Sequence, residues 1–91
     1  MSEEILVKTS KNCAVGLSPG SLTLTNERLQ FKTMLGKKLK VDLALSDIVG
    51  VKPFGGNILH VETADGGFVR IQVNIATRSE WLEKLQHAIA G

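Results

Sequence analysis

The stretch from Ser21 to Phe31, SLTLTNERLQF, alternates apolar and polar residues, is interrupted at TNER, and then alternates again. Alternation places the apolar side chains on one face of an extended chain, which is typical of a half-buried β-strand. The interruption is Asn26-Glu27, and Asn is one of the residues that tolerates the left-handed conformation of a tight turn. The stretch therefore predicts a β-hairpin with a turn at Asn26-Glu27 and a left-handed Asn26.

The same alternation sets the register of the following hairpin. Its apolar residues at odd positions share the inner face of the sheet. Inner residues must oppose inner residues, so the connecting loop needs an odd number of residues. A loop at 35–37 satisfies this condition, and it pairs Phe31 with Val41 and Leu29 with Leu43.

Further alternating segments extend the sheet at both ends. Residues 5–17 indicate one long bent strand or two short ones, and the SPG sequence at 18–20 has the composition of a turn. Residues 48–54 indicate a strand whose facing the pattern leaves open. Gly50 and Pro53 favour a bulge or an edge position for this strand.

A glycine-rich turn connects the last two predicted strands. With DGG at 65–67 as the turn, Val61 pairs with Ile71 on the inner face and Glu62 with Arg70 on the outer face. Opposite charges that face each other across a strand pair contribute about 0.2 to 1 kcal/mol.

The hydrophobic period changes near the carboxyl end of the chain. Apolar residues there recur at helical spacing on one face, namely Trp81, Leu82, Leu85, Ala88 and Ile89. Thr77 and Glu80 form a T-x-x-E capping box that predicts the helix start. The predicted architecture is mainly β, with about seven antiparallel strands in a curled sheet or partly open barrel. The C-terminal helix closes the open end, and Trp81 is its largest plugging residue.

Composition narrows the classes of function. Residues 1–91 provide one small domain, and a net charge of +2 is too low to indicate a nucleic-acid binder. Cys13 is the only cysteine, so the sequence predicts no internal disulfide and no structural zinc site. No apolar run is long enough for a signal peptide or a membrane span, so we expect a cytoplasmic protein. The sequence predicts no cofactor and no small-molecule substrate.

Three segments match a known family pattern in order and spacing. They are GSLTLTNERLQF at 20–31, VDLALSDIVGV at 41–51, and TADGGFVRIQV at 63–73, the last followed by a helix that contains Trp81. Together they resemble the GRAM domain, a branch of the pleckstrin-homology (PH-like) fold, over residues 5–89. The resemblance implies a small non-catalytic module that binds membrane lipids or protein partners.

The chain departs from the phosphoinositide-binding members of the wider PH group. Those members carry a Lys followed at a distance by (Lys/Arg)-x-Arg around the first hairpin. This chain has Lys8 and Lys11, followed by the nearly neutral sequence NCAVGLSPGSLTLTN. The arginines that bind phosphate in a bidentate manner are missing, which argues against recognition of a specific headgroup.

Four lysines fall on the predicted hairpin around residues 32–40, and we call this segment the lysine hairpin. They are Lys32, Lys37, Lys38 and Lys40, with Lys32 predicted to lie opposite Lys40. Like charges at such a position are unfavourable, which suggests a patch for an anionic surface or an acidic partner. The alternative is a solvated face whose lysines discourage edge-to-edge aggregation.

The remaining candidate residues are two phenylalanines, two histidines and one possible catalytic trio. Phe54 and Phe68 flank the glycine-rich turns and would form an apolar rim for a partner if both are exposed. His60 and His87 have no metal-ligand spacing, so the sequence predicts no metal site. A trio of Ser46, Asp47 and His60 lacks the sequence around it that a hydrolase requires, and we expect no enzymatic activity.

These observations predict a non-enzymatic PH-like module. The favoured function is protein interaction, with a peptide or a second copy of the chain, through the edge of strand 48–54. PH-like domains accept extended segments there because edge amides and carbonyls are unpaired. The alternative is peripheral binding to anionic membranes through the lysine hairpin, at about 1 kcal/mol per lysine. The sequence leaves the partner, the oligomeric state and the biological process open.

Overall fold

The computed structural model describes residues 6–16, 18–35 and 38–90, which form one antiparallel sheet and a C-terminal helix. The elements in chain order are β1 (Leu6–Val15), β2 (Ser18–Thr25), β3 (Arg28–Thr33), β4 (Leu39–Ala44), a 3-10 turn (Leu45–Asp47), β5 (Ile48–Phe54), β6 (Ile58–Thr63), β7 (Phe68–Gln72) and α1 (Arg78–Ala90). The seven strands are ordered β4-β3-β2-β1-β7-β6-β5. The predicted mainly-β architecture with a closing helix is confirmed.

The hairpin predicted from residues 21–31 is present, but its turn is closed differently. The Thr25 hydroxyl accepts hydrogen bonds from the backbone N–H groups of Glu27 (3.2 Å) and Arg28 (3.1 Å). Asn26 is not left-handed. Among the described residues other than glycine, the one with a positive φ is Asn12 (63°). A side-chain cap therefore replaces the predicted backbone conformation.

The next hairpin has the predicted core pairs, Phe31 with Val41 and Leu29 with Leu43. All four side chains lie toward the core, with Leu29 and Phe31 fully buried. The parity argument succeeds for these two pairs. It fails for Leu39, which was also expected on the inner face but is 48% exposed, because the register shifts beyond the pair of Phe31 and Val41.

Strand β1 is one long strand whose register shifts twice along its pairing with β2. The predicted turn at 18–20 is wrong, because Ser18 pairs with Val15 and Gly20 with Cys13 inside the β1–β2 ladder. The chain reverses before Ser18, at Gly16, whose φ is 62°. At Gly20 the strands approach so closely that a Cβ atom would lie 2.1 Å from the carbonyl oxygen of Lys32.

The hairpin β6–β7 is shifted by two residues from its predicted register. The predicted pairs Val61–Ile71 and Glu62–Arg70 are wrong, and the observed pairs include Leu59–Ile71, His60–Arg70, Val61–Val69 and Glu62–Phe68. The turn is residues 64–66, with Gly66 at φ 88°, and Gly67 already pairs with Thr63. A shift of two preserves parity, so every side chain keeps its predicted face.

The hydrophobic core lies between the inner face of the curled sheet and one face of α1. Its members are Cys13, Leu22, Leu24, Leu29, Phe31, Val41, Ile48, Val51, Leu59, Val61, Ile71, Val73, Trp81 and Leu85. The indole N–H of Trp81 donates a 3.0 Å hydrogen bond to the Ser10 hydroxyl. The indole of Trp81 is thus fully buried with its N–H group satisfied, and the same hydrogen bond joins α1 to β1.

Helix α1 begins without the predicted capping box. The Thr77 hydroxyl donates to the carbonyl of Asn74, and the Glu80 carboxylate lies 2.9 Å from Lys8 Nζ. Lys8 Nζ is also 5.3 Å from the centre of the Trp81 ring. The two capping-box residues therefore connect the helix to its surroundings.

Among the described residues, no helix has the length and apolar character needed to span a bilayer.

Candidate functional site

An exposed cluster of aromatic rings and one arginine lies on the outer face of β5, β6 and β7. We call Phe54, His60, Phe68 and Arg70 the aromatic patch. The His60 ring stacks between the two phenyl rings, with centroid distances of 6.1 Å to Phe54 and 5.0 Å to Phe68. The Arg70 guanidinium carbon lies 3.9 Å from the Phe54 centroid and 4.8 Å from that of Phe68. The four side chains form one continuous surface.

Strand register brings these residues together. His60 lies directly opposite Arg70 on the neighbouring strand, whereas Phe54 and Phe68 are diagonal to His60 on either side. Diagonal neighbours across a sheet are within reach of aromatic side chains. The Arg70 Nε–H donates a 3.2 Å hydrogen bond to His60 Nδ1, which fixes the guanidinium over the rings.

The two phenylalanines proposed as a partner rim are both accessible to solvent. Phe54 is 41% exposed and Phe68 is 56% exposed. The loop after Phe54 is fixed by the first residue of α1, because one guanidinium nitrogen of Arg78 donates to the carbonyls of Gly55 (2.6 Å) and Gly56 (2.8 Å). The aromatic patch is therefore supported on one side by the helix.

The cations in and around the aromatic patch differ in whether they have a carboxylate partner. Lys52 Nζ lies 3.4 Å from the Glu62 carboxylate. Arg70, by contrast, has no carboxylate within ion-pair distance among the residues that the structure describes. The patch therefore presents one cation that no carboxylate of the described residues neutralises.

Strand β5, whose facing the sequence left open, is an edge strand with a register shift between Ile48 and Gly50. Ile48 and Val51 lie in the core. The Gln86 side-chain amide of α1 donates to the Val51 carbonyl at 3.4 Å. One acceptor of the edge is thus already bonded, whereas the end of the strand at Phe54 continues into the aromatic patch.

The lysine hairpin differs from its prediction in one respect. Lys32 opposes Leu39, because a register shift leaves Lys40 as an extra residue, so the predicted pair of Lys32 and Lys40 is wrong. Lys40 Nζ turns toward Ser18 and donates to its hydroxyl at 3.0 Å. Lys32 and Lys38 are exposed, and Lys37 lies outside the described residues.

The tip of the lysine hairpin is apolar. Met34 is 58% exposed and Leu35 is 84% exposed. Beside the tip is a cavity of about 290 Å³ whose lining includes Lys11, Ser21 and Lys32. Sequence reasoning missed Lys11 here, because the distance between residues 11 and 32 along the chain conceals their proximity in the β1–β2–β3 sheet.

The observed hydrogen bonds of His60 and Asp47 are to residues outside the trio that the sequence raised. His60 Nδ1 accepts from Arg70, and the Asp47 backbone carbonyl accepts from Ala64. Cys13 is buried, and burial raises the pKa of its thiol. Within the described ranges, no three His, Cys, Asp or Glu side chains converge as metal ligands would.

Comparison with solved structures identifies the fold. No protein-family model matches the chain, and no curated protein matches its sequence. Among solved structures, a C-terminal domain of an unknown protein from Leishmania infantum superposes with a TM-score of 0.79 at 20% identity, over 97% of this chain and 86% of that one. The Vps36 N-terminal PH domain gives 0.75 at 14% identity, over 97% and 83%.

A third structure contains the fold within a larger chain. The DH/PH fragment of PDZRHOGEF, solved in complex with human RhoA, superposes with a TM-score of 0.75 at 10% identity. The match covers 96% of this chain and 29% of that one. Identities this low establish the shared fold. Seven antiparallel strands, the closing helix and these superpositions together show that the chain has a PH-like fold.

Proposed function

We propose that the chain is a non-enzymatic PH-like binding module of the GRAM type that binds a protein. The partner, a peptide segment or a second copy of the chain, contacts the aromatic patch and the adjoining end of β5. The observation that carries this proposal is the exposure of Phe54 and Phe68 around a fixed Arg70.

The aromatic patch has the composition of an interface centre. Aromatic residues and arginine are enriched where protein interfaces have their largest energetic contributions. Full burial of an exposed Phe side chain contributes about 1.5 to 3 kcal/mol, and because Phe54 and Phe68 are each about half buried already, covering both contributes roughly that amount in total. The hydrogen bond from Gln86 to Val51 restricts strand addition along the middle of β5. Contact is therefore centred at the Phe54 end.

The test combines capture with surface variants. The tagged chain is incubated with lysate of its own organism at low and at high salt, beside the double variant Phe54→Ser/Phe68→Ser. We expect captured protein at both salt concentrations with the wild type and its loss with the double variant. Leu35→Ser is the matched control, since it also removes an exposed apolar side chain, and it should keep the captured protein.

Self-association is measured separately by size-exclusion chromatography with light scattering. A dimer that dissociates in the double variant identifies the second copy as the partner. A strict monomer that captures nothing at either salt concentration would contradict the proposal, as would capture that the double variant leaves unchanged.

A second candidate function is peripheral binding to anionic membranes. The observation that favours it is the exposed apolar tip, Met34 and Leu35, beside Lys32, Lys38 and the cavity that Lys11 helps to line. Apolar tip residues would enter the interface while the lysines contact lipid phosphates. Each lysine contributes about 1 kcal/mol, so binding is weak and sensitive to salt.

Vesicle sedimentation tests this second function. We expect binding to vesicles that contain phosphatidylserine at low salt, and none at high salt. The triple variant Lys32→Ser/Lys38→Ser/Lys40→Ser should abolish sedimentation, whereas Phe54→Ser/Phe68→Ser should leave it unchanged. Wild-type chain that stays in the supernatant at low salt would refute membrane binding.

A further inference from the structure

We infer that the aromatic patch takes an acidic peptide segment of its protein partner, with a carboxylate on Arg70 and an adjacent apolar side chain on Phe54 and Phe68. This inference rests on the proposed function and specifies the chemistry of the partner. It rests on the guanidinium group of Arg70. His60 and the two phenyl rings hold this group on one side, and its other side is open to solvent.

The Arg70 guanidinium is held without being neutralised. Its Nε–H donates to His60, and its carbon lies within 5 Å of both phenyl centroids. No carboxylate of the described residues lies within ion-pair distance of it, although Lys52 on the same face has Glu62. The terminal N–H groups of Arg70 are therefore available to an acceptor outside the chain.

A carboxylate suits these groups better than a neutral acceptor of a protein does. The planar guanidinium fork binds a carboxylate through two parallel hydrogen bonds, and charge assistance makes such bonds roughly twice as strong as neutral ones. The rings of Phe54 and Phe68 keep Arg70 in place, so little side-chain entropy is lost when an acceptor binds. A basic or neutral segment lacks this pairing.

The charge of this face favours a peptide over a membrane. Lys52 and Glu62 neutralise each other, which leaves Arg70 as one net positive charge beside the rings. One cation contributes only about 1 kcal/mol at an anionic bilayer, so the charge of this face gives little attraction to a membrane. A peptide that also packs an apolar side chain on Phe54 and Phe68 gains from both interactions.

The experiment is an NMR titration of the ¹⁵N-labelled full chain with two synthetic peptides. One is acetyl-GELELG-amide, and the other is its uncharged analogue acetyl-GQLQLG-amide. We expect saturable shifts of amide signals in β5, β6 and β7 with the acidic peptide. The uncharged analogue should bind about tenfold to a hundredfold more weakly, as the loss of a charged hydrogen-bonded pair implies.

Two variants locate the preference for acid. Arg70→Gln should reduce the difference between the two peptides to less than about threefold, because the ionic hydrogen bonds are lost. Lys38→Gln is the matched control, since it also removes one exposed positive charge but leaves the pair of Lys52 and Glu62 intact, and it should keep the wild-type preference. Both positions are exposed, and the amide spectrum of each variant reports that its fold is retained.

Several outcomes would overturn the inference. They are equal binding of the two peptides, no saturable shift with either up to millimolar concentration, and shifts confined to the lysine hairpin. Shifts of the β5–β7 amides by phosphatidylserine vesicles would assign the face to membranes instead. If Arg70→Gln still captures the lysate partner while Phe54→Ser/Phe68→Ser does not, the proposed function stands and the acidic partner is excluded.

Discussion

The indole N–H of Trp81 donates a hydrogen bond to the Ser10 hydroxyl at 3.0 Å, from a side chain with no exposed surface. These residues are 71 positions apart in sequence, so this one contact joins the two ends of the described chain. It explains how α1 is fixed in its orientation on the sheet, since a buried N–H group must find an acceptor.

Substitution of Ser10 by Ala should destabilise the protein by about 1 to 3 kcal/mol, because the buried indole N–H loses its acceptor. Urea denaturation followed by Trp81 fluorescence measures the change. Ser46→Ala is the control, since Ser46 is exposed, and it should alter stability by less than about 0.5 kcal/mol. Equal midpoints for the two variants would show that the hydrogen bond contributes nothing to the fold.

The Thr25 hydroxyl closes the β2–β3 turn by accepting two backbone hydrogen bonds. Thr25→Val conserves the shape of this buried residue but removes the acceptor, and we expect a loss of about 1 to 3 kcal/mol. Thr25→Ser keeps the hydroxyl and should lie closer to the wild type. The measurement is thermal unfolding, in which each kcal/mol lowers the Tm of a chain of this size by about 4 to 8 °C. If Thr25→Val proves more stable than Thr25→Ser, the hydroxyl does not stabilise the turn.

Gly20 lies where β2 meets β3 most closely. Gly20→Ala places a methyl group against the backbone of Lys32, which cannot move without separating the strands, so we expect destabilisation of about 1 to 3 kcal/mol or more. Gly56→Ala is the matched control, because its Cβ would meet nothing closer than 3.9 Å. Urea denaturation of both variants tests the prediction, and similar midpoints for the two would disprove the close approach.

Burial raises the pKa of the Cys13 thiol, with the Leu22 backbone and the charge of Lys8 opposing that change. A pKa that is higher in the folded state than in the unfolded state stabilises the fold at neutral pH. That contribution is lost as the pH rises through the folded-state pKa. We therefore expect stability to fall as the pH rises above about 8.5, the ordinary pKa of a thiol, with a smaller fall in Cys13→Ala.

Urea denaturation at each pH measures this effect, and equal pH dependence in both proteins would rule out the role of Cys13. A second measurement uses a thiol-reactive chromophore. Native Cys13 should react much more slowly than the unfolded chain, since its side chain is buried.

Sequence reasoning predicted the fold where one physical rule dominates. Phe31 and Val41 pair as expected because inner residues must oppose inner residues if the apolar side chains are to share one face. The same rule cannot distinguish registers that differ by two residues. It consequently misplaced the β6–β7 turn, where glycines at 66 and 67 both allow a left-handed position and only Gly66 adopts it.

That error concealed most of the aromatic patch. The predicted pairing gave Arg70 a carboxylate partner in Glu62, whereas the observed register places Arg70 opposite His60. Phe54 and Phe68 were identified from their positions beside turns, but their stacking on His60 depends on diagonal distances that the one-dimensional pattern lacks. The bulge at Lys40 escaped prediction for a similar reason, since its contact with Ser18 crosses the curled sheet.

Arg78 holds the carbonyls of Gly55 and Gly56 from the first turn of α1, immediately after Phe54. A loop tethered in this way is preorganised, so a partner meets a surface that has already lost its conformational freedom. Association should then proceed as near rigid-body docking, at the ordinary protein rate of about 10⁵ to 10⁷ M⁻¹s⁻¹. Discrimination among competing partners would reside in how long each complex survives rather than in how fast it forms.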